Sequence, residues 1–231
     1  RTLFDQFLLR MVFNRCIKHF HFIDVVTDAM QSHISNFTMN SKIFVTYTCC
    51  NFSDIKKYDL KTGRQKQKEF LKLVYVGSLR FKSELTIFLD YLNTQKILYQ
   101  LDLFSSDEYM HPQVTNKGFK KDISKYLTSK KYDFGVVPMS FSLDEKLIVS
   151  TSLPSKIGTY ISAKIPIMFV VPKWSSCVHL LQMYKIGLAI DLYYEKQIDQ
   201  SSLSTEDYSM QLLLKDMEER KKQFVKFCEA L

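Results

Sequence analysis

Glycine and proline are scarce, at 6 and 5 of 231 residues, so few positions break regular structure and the chain is expected to be mostly helix and strand. Cysteine is also sparse. Its 5 copies are odd in number, include the adjacent Cys49 and Cys50, and form no Cys-x-x-Cys pair. That pattern is neither a disulfide framework nor a zinc site, and a reducing, cytoplasmic setting is the expectation. His19 and His21 stand too close in sequence to form a metal site without further ligands. No long apolar run is visible. The most apolar early stretch, Phe7 to Phe13, is short and is interrupted by Arg10, which excludes a signal peptide or a spanning helix there. No internal repeat is visible.

Aromatic residues are plentiful instead, with 13 Tyr and 18 Phe in a chain that is 46 % hydrophobic, enough to bury a sizeable core. Net charge is +8, which suits phosphate-bearing partners: nucleotides, nucleic acid or anionic lipid. Two clusters carry much of it: Lys56, Lys57, Lys61, Arg64, Lys66, Lys68 and Lys72, then Lys117, Lys120, Lys121 and Lys125. Solvated faces account for both. No motif that reads DNA or RNA is present, so nucleic acid is not expected as a partner.

From Leu71 onward, apolar strands alternate with helical patterns. Residues 71–76 read as a buried strand ending at Gly77, and Leu85, Phe88, Leu89 and Leu92 recur at helical spacing. Strands are expected at 97–104, 113–115, 133–138, 166–170 and 186–192. Asp122 opens one helix, and others cover 155–164 and 175–185. This alternation predicts an α/β fold, a Rossmann-like parallel sheet with helices on both faces. Ligands of such sheets bind beyond the carboxyl ends of the strands, so the loops after Val76, Phe104, Thr115 and Pro138 are the candidates.

The rest of the chain divides around this region. Residues 1–50 read as a separate piece, with a strand at 22–26, a helix at 27–35 and a strand at 42–47. Residues 51–69 are polar and charged and read as a linker. Residues 70–203 hold the sheet. Residues 204–231 form a long helix opened by a Ser204–Asp207 capping box, with Met210, Leu213, Leu214, Met217 and Phe224 on one face. The segment 3–20 places Leu3, Phe4, Phe7, Leu8 and Met11 on one helix face beside Arg10, Arg15 and Lys18. A core-facing helix and a peripheral helix on the inner face of a membrane both fit it.

Four segments resemble retaining glycosyltransferases of the GT-B fold, in particular the sugar transferases that build bacterial surface polysaccharides. The first runs from Val74 to Lys82, where the family's strand ends in Val-Gly and is followed by cations that contact the donor diphosphate. Here Ser78 stands in the place of the usual first cation, and Arg80 and Lys82 are the substitutes. The second is Asp133 to Pro138, similar to the strand that leads into the donor loop. The third and most specific runs from Ser152 to Pro166 and includes Pro154, Ser155 and Lys156. The fourth pairs Ile23 to Thr27 with Lys42 to Tyr47, similar to the end of the family's N-terminal domain.

The resemblance implies a C-terminal GT-B domain plus a remnant of the acceptor half, with a whole Rossmann-like domain preceding residue 1 in the full enzyme. It implies that Gly77, Ser78, Arg80, Lys82, Pro138, Ser152, Pro154, Ser155, Lys156 and Thr159 bind the donor. The expected substrate is a nucleoside-diphosphate sugar, the expected acceptor a glycan or lipid-linked glycan, and no metal or other cofactor is expected. The chain departs from the family in one respect that matters. Many members carry two Glu separated by seven residues, the second of which holds the donor ribose; the matching positions here are Thr151 and Thr159, and Lys164 stands where Gly is usual. Thr cannot accept two hydroxyl bonds as a carboxylate can, and Glu145, just upstream, is a candidate replacement. No set of catalytic residues can be named. A degenerate, non-catalytic GT-B-like module and a nucleotide-sugar 2-epimerase remain as alternatives.

Overall fold

The computed structural model describes residues 15–16, 20, 22–38, 42–46, 70–194, 198, 203, 208 and 210–230. The expected linker 51–69, the Lys56–Lys68 cluster, the helix face from Leu3 to Met11 and the Ser204–Asp207 capping box lie outside the described residues. The chain divides into two compact units, one from 1–47 with 215–231 and one from 48–214.

In the smaller unit, β1 (Phe22–Val25) and β2 (Lys42–Val45) pair in parallel, joined by α1 (Asp28–Ser35). The Thr27 hydroxyl caps α1 by accepting from the Met30 N–H at 2.8 Å. The last helix, α7 (Gln211–Glu229), contributes Phe224 and Phe227 to this unit. Phe227 meets Phe22 edge-on at 5.6 Å and Phe44 at 4.7 Å. Arg220 bridges Asp28 at 3.2 Å and Asp216 at 2.8 Å.

The larger unit is a six-stranded parallel sheet: β3 (Leu71–Val76), β4 (Tyr99–Phe104), β5 (Val114–Asn116), β6 (Phe134–Pro138), β7 (Ile167–Val170) and β8 (Gly187–Ile190). Its spatial order is β5-β4-β3-β6-β7-β8. Counted from β3, that is the 3-2-1-4-5-6 order of a Rossmann fold. Between the strands run α2 (Lys82–Thr94), α3 (Ile123–Thr128), α4 (Lys146–Thr151), α5 (Lys156–Ser162) and α6 (Ser176–Met183), with a 3-10 turn over Leu143–Glu145.

Alternation sorts the strand residues onto two faces. On one, Leu71, Leu73, Tyr75, Leu101, Leu103, Phe134, Val136, Met168 and Val170 share a core with Leu85, Phe88, Leu89 and Leu92 of α2. On the other, α5 packs through Tyr160, which lies on Gly135. A Cβ on Gly135 would come within 2.5 Å of that ring, so this strand position admits only glycine without movement. The α/β reading and the six strands of the sheet therefore hold, with ends that differ from the expected ones by a few residues. The sequence pattern did not foresee α4 or the 3-10 turn. Leu143, Leu147 and Ile148 are exposed there, so no inward stripe marks the helix.

Candidate functional site

The two strands that flank the point where the strand order reverses behave differently from their neighbours. β3 and β4 are in register over six residues, Leu71↔Tyr99 to Val76↔Phe104. β3 and β6 pair only at Leu73↔Phe134 and Val74↔Gly135. Beyond that the ladder is continued by a side chain. The Tyr160 hydroxyl accepts from the Val76 N–H at 3.0 Å and lies 3.2 Å from the carbonyls of Val74 and Val136. Its single proton serves one of those two carbonyls at a time. Burial pushes the phenol well above its ordinary range, so it stays neutral. The seam is thus closed by a tyrosine where two strands part.

Several expected donor-binding residues stand at the carboxyl end of this seam. Gly77 has φ +100, a left-handed conformation that other residues adopt only with strain. A Cβ on Gly77 would lie 3.9 Å from Lys156 Cε, so the lysine stem runs past the turn. The Lys156 Nζ lies 3.9 Å from the centre of the Tyr75 ring. Lys156 begins α5 on one face of the sheet, whereas Tyr75 belongs to the core of the opposite face. The side chain therefore crosses the mouth of the seam. The Tyr75 hydroxyl donates to the Ser78 carbonyl, which folds the loop after β3 over the ring. Burial pulls the Lys156 amine down to about 7.

Arg80 reaches the other flank of the seam. Its guanidinium bonds Glu145 at 3.1 Å, joining the loop after β3 to the 3-10 turn after β6. A hydrogen bond from Ser140, followed by Arg80, holds the Glu145 carboxyl below its ordinary value. Glu145 is thus already engaged by a cation. Lys82 goes elsewhere: its ammonium lies 5.5 Å from the Tyr109 ring, in the loop after β4. Asp107, from that same loop, accepts from the Leu79 N–H at 2.8 Å. No side chain caps α2, which begins at Lys82, and an uncapped helix start of this kind favours an anion.

The remaining candidates are scattered along the loop and helix that follow β6. Pro138 ends that strand in register with Val170. Ser152 follows α4, and its carbonyl accepts from the Ser176 hydroxyl. Pro154 lies before the helix start, where Ser155 is the capping residue without a side-chain cap bond. The N–H groups of Ile157 and Gly158 already donate to the carbonyls of Pro154 and Ser155, both at 3.1 Å. The first turn of α5 therefore has fewer open donors than its sequence suggests. Thr159 is half-buried within α5. The Thr151 hydroxyl turns back to the Leu147 carbonyl at 2.7 Å. Lys164 has φ +58, the left-handed conformation that glycine adopts most easily.

Sequence reasoning missed Tyr75, Tyr160, Tyr109 and Asp107. Each sits in an ordinary apolar or polar pattern, and its role depends on a strand distant in sequence. Among the described residues, no group of three or more His, Cys, Asp or Glu is placed to hold a metal ion. Among them also, no helix is long and apolar enough to cross a membrane.

No protein-family model matches this chain, and no curated protein matches it. Among solved structures it is similar to a trehalose-6-phosphate synthase studied for glycosyl transfer with retention. That likeness has 11 % identity and a TM-score of 0.48, covering 91 % of this chain and 61 % of that one. It is similar also to a kitacinnamycin glycotransferase, at 12 % identity and a TM-score of 0.41, covering 87 % of this chain and 49 % of that one. A homoserine dehydrogenase from S. aureus matches over 44 % of this chain, at 12 % identity and a TM-score of 0.25. The chain thus spans 61 % and 49 % of the lengths of the two glycosyl-transferring structures.

Proposed function

We propose that this chain is the donor-binding half of a glycosyltransferase, which moves a sugar from a nucleoside-diphosphate sugar to a glycan or lipid-linked acceptor. The observation that carries the reading is the meeting of Gly77 and Lys156 at the mouth of the β3–β6 seam. Both were singled out by segments that resemble donor-binding motifs. The chemistry suits the place. As the sugar–phosphate bond breaks, negative charge grows on the departing diphosphate, and fixed cations and helix N-termini stabilise it. Lys156, Arg80 and the uncapped start of α2 supply such groups around the strand ends. A diphosphate arriving there competes with Glu145 for Arg80.

A second reading, a binding module without transfer activity, is favoured by one observation. Thr151 and Thr159 occupy the places of the family's two carboxylates, and the Thr151 hydroxyl is committed to its own helix. Transfer also requires an acceptor held beside the donor carbon, because positioning supplies much of the rate.

Calorimetric titration of the 231-residue chain with uridine, guanosine and adenosine diphosphates, run beside donor-hydrolysis and transfer assays, tests both readings. Weak binding of at least one nucleotide without transfer is expected. Absence of binding to all three would overturn the donor-site reading. Robust transfer by this chain would show that Thr151 and Thr159 do not impair the site.

A further inference from the structure

We infer that binding of a multiply charged phosphate group at the mouth of the β3–β6 seam draws a proton from solvent onto Lys156. The inference rests on the donor-site reading and adds to it the charge state of the ligand and the pH range in which the site works. It starts from an unusual placement. A half-buried amine lies against an aromatic ring, and no carboxylate is paired with it among the described residues. From β3, the groups against it are the Tyr75 phenol and the Gly77 turn. On its own helix, Tyr160 follows four residues later. Burial raises both phenols, so neither offers a negative charge. Of the acids in these loops, Glu145 is taken by Arg80, and Asp107, whose charge helps to raise the Tyr75 phenol, accepts from the Leu79 N–H.

Two effects oppose each other at this amine. The ring face favours the ammonium form, while withdrawal from water disfavours it, and withdrawal wins: the amine titrates near 7 instead of in the usual lysine range. In the free protein at neutral pH the site therefore holds much of its lysine uncharged. A phosphate dianion placed beside the amine restores the ammonium form, because an opposite charge at contact distance favours ionisation. Only a proton moves, from solvent to nitrogen, and no covalent bond of the ligand changes. Arginine at this position would stay charged throughout and would not show the effect.

Titration calorimetry with uridine diphosphate and with inorganic pyrophosphate tests this in two buffers of different ionisation enthalpy. The wild-type chain is compared with Lys156→Arg and Lys156→Met, after circular dichroism has shown that both fold. With the amine at about 7, linkage predicts that wild-type affinity falls about twentyfold between about pH 6.5 and about pH 8.5. Buffer-dependent heat should report proton uptake approaching one per ligand at the alkaline end. Both variants should lose that uptake, and comparison with them removes the titration of the ligand itself.

Uridine diphosphate binding without proton uptake, or with uptake unchanged in Lys156→Met, overturns the inference and leaves the donor site standing. Pyrophosphate binding with uptake but no nucleotide binding sustains the inference and removes the nucleotide. Binding of neither probe overturns both. The free chain gives an independent check. The unfolded state binds more protons than the folded one between about pH 7 and about pH 10, so wild-type stability should rise with pH across that window. Lys156→Met should lack that rise, and equal slopes would also overturn the inference.

Discussion

The two seams that flank β3 are built in different ways. On the β4 side the backbones run in register for six residues. On the β6 side they pair at two positions and then hand the ladder to a tyrosine hydroxyl. The first seam is closed by backbone pairing, which the Gly77 N–H extends by donating to the Phe104 carbonyl at 2.9 Å. The second parts at the reversal of strand order, and there Gly77, Lys156 and the Arg80–Glu145 pair gather. In this fold, a crevice comes from topology: the loop leaving β3 leads to β4 on one side and the loop leaving β6 leads to β7 on the other, so the two diverge at that point. Here a Tyr160 plug satisfies the backbone groups exposed by the parting strands and anchors the helix that carries Lys156.

The largest expected effect comes from crowding the plug. Gly135→Ala places a methyl group within 2.5 Å of the Tyr160 ring, and overpacking of this kind should cost about 3 kcal/mol in chemical denaturation. A loss below about 0.5 kcal/mol would show that the ring shifts freely and that the seam is not held as described. Tyr160→Phe is gentler. It keeps the ring and removes the hydroxyl that serves Val76, leaving a buried N–H unsatisfied at a cost of about 2 kcal/mol. Hydrogen exchange at the Val76 amide should speed up more than at Leu101 and Leu103 on the backbone-closed seam. Equal changes on both seams would erase the distinction between them.

The smallest effect concerns what the two faces share. α2 and α5 end alike, with Ile97 N–H bonded to Leu92 at 3.0 Å and Ile165 N–H bonded to Tyr160 at 2.9 Å. Lys96 and Lys164 take the left-handed position, at φ 56 and 58. Lys96→Gly and Lys164→Gly should each stabilise the chain by about 0.5 kcal/mol, the relief of strain outweighing the greater freedom of an unfolded glycine. A gain at one end alone would mean that the two helix ends are not equivalent.

Much of the sheet was legible in the sequence, for reasons that also explain what was not. The buried strand expected at 71–76 is β3 to the residue, because an apolar run closed by Gly77 leaves little ambiguity. Thr27 and Ser175, read as helix starts, each cap their helix with a hydroxyl. In the sequence Tyr160 is only part of a helix, since an aromatic residue at an inward position looks like any core residue. Its hydroxyl has meaning only once β3 and β6 are known to part. Lys156 was legible as a donor-site candidate, but its withdrawal from water was not, because the Tyr75 ring that covers it lies 81 positions earlier. Lys82 shows the converse. The sequence groups it with Arg80 and Lys156, yet its ammonium lies 5.5 Å from the Tyr109 ring in the loop after β4.

The central claim is that a nucleoside diphosphate occupies the mouth of the β3–β6 seam. Amide chemical-shift mapping of the isotope-labelled chain with uridine diphosphate tests it most directly. The amides of Gly77, Ser78 and Lys156 should shift in proportion to one another as ligand is added, while Leu101 and Leu103 stay in place. Shifts confined to the lysine-rich stretch at Lys120, Lys121 and Lys125, with Gly77 and Lys156 unmoved, would contradict it.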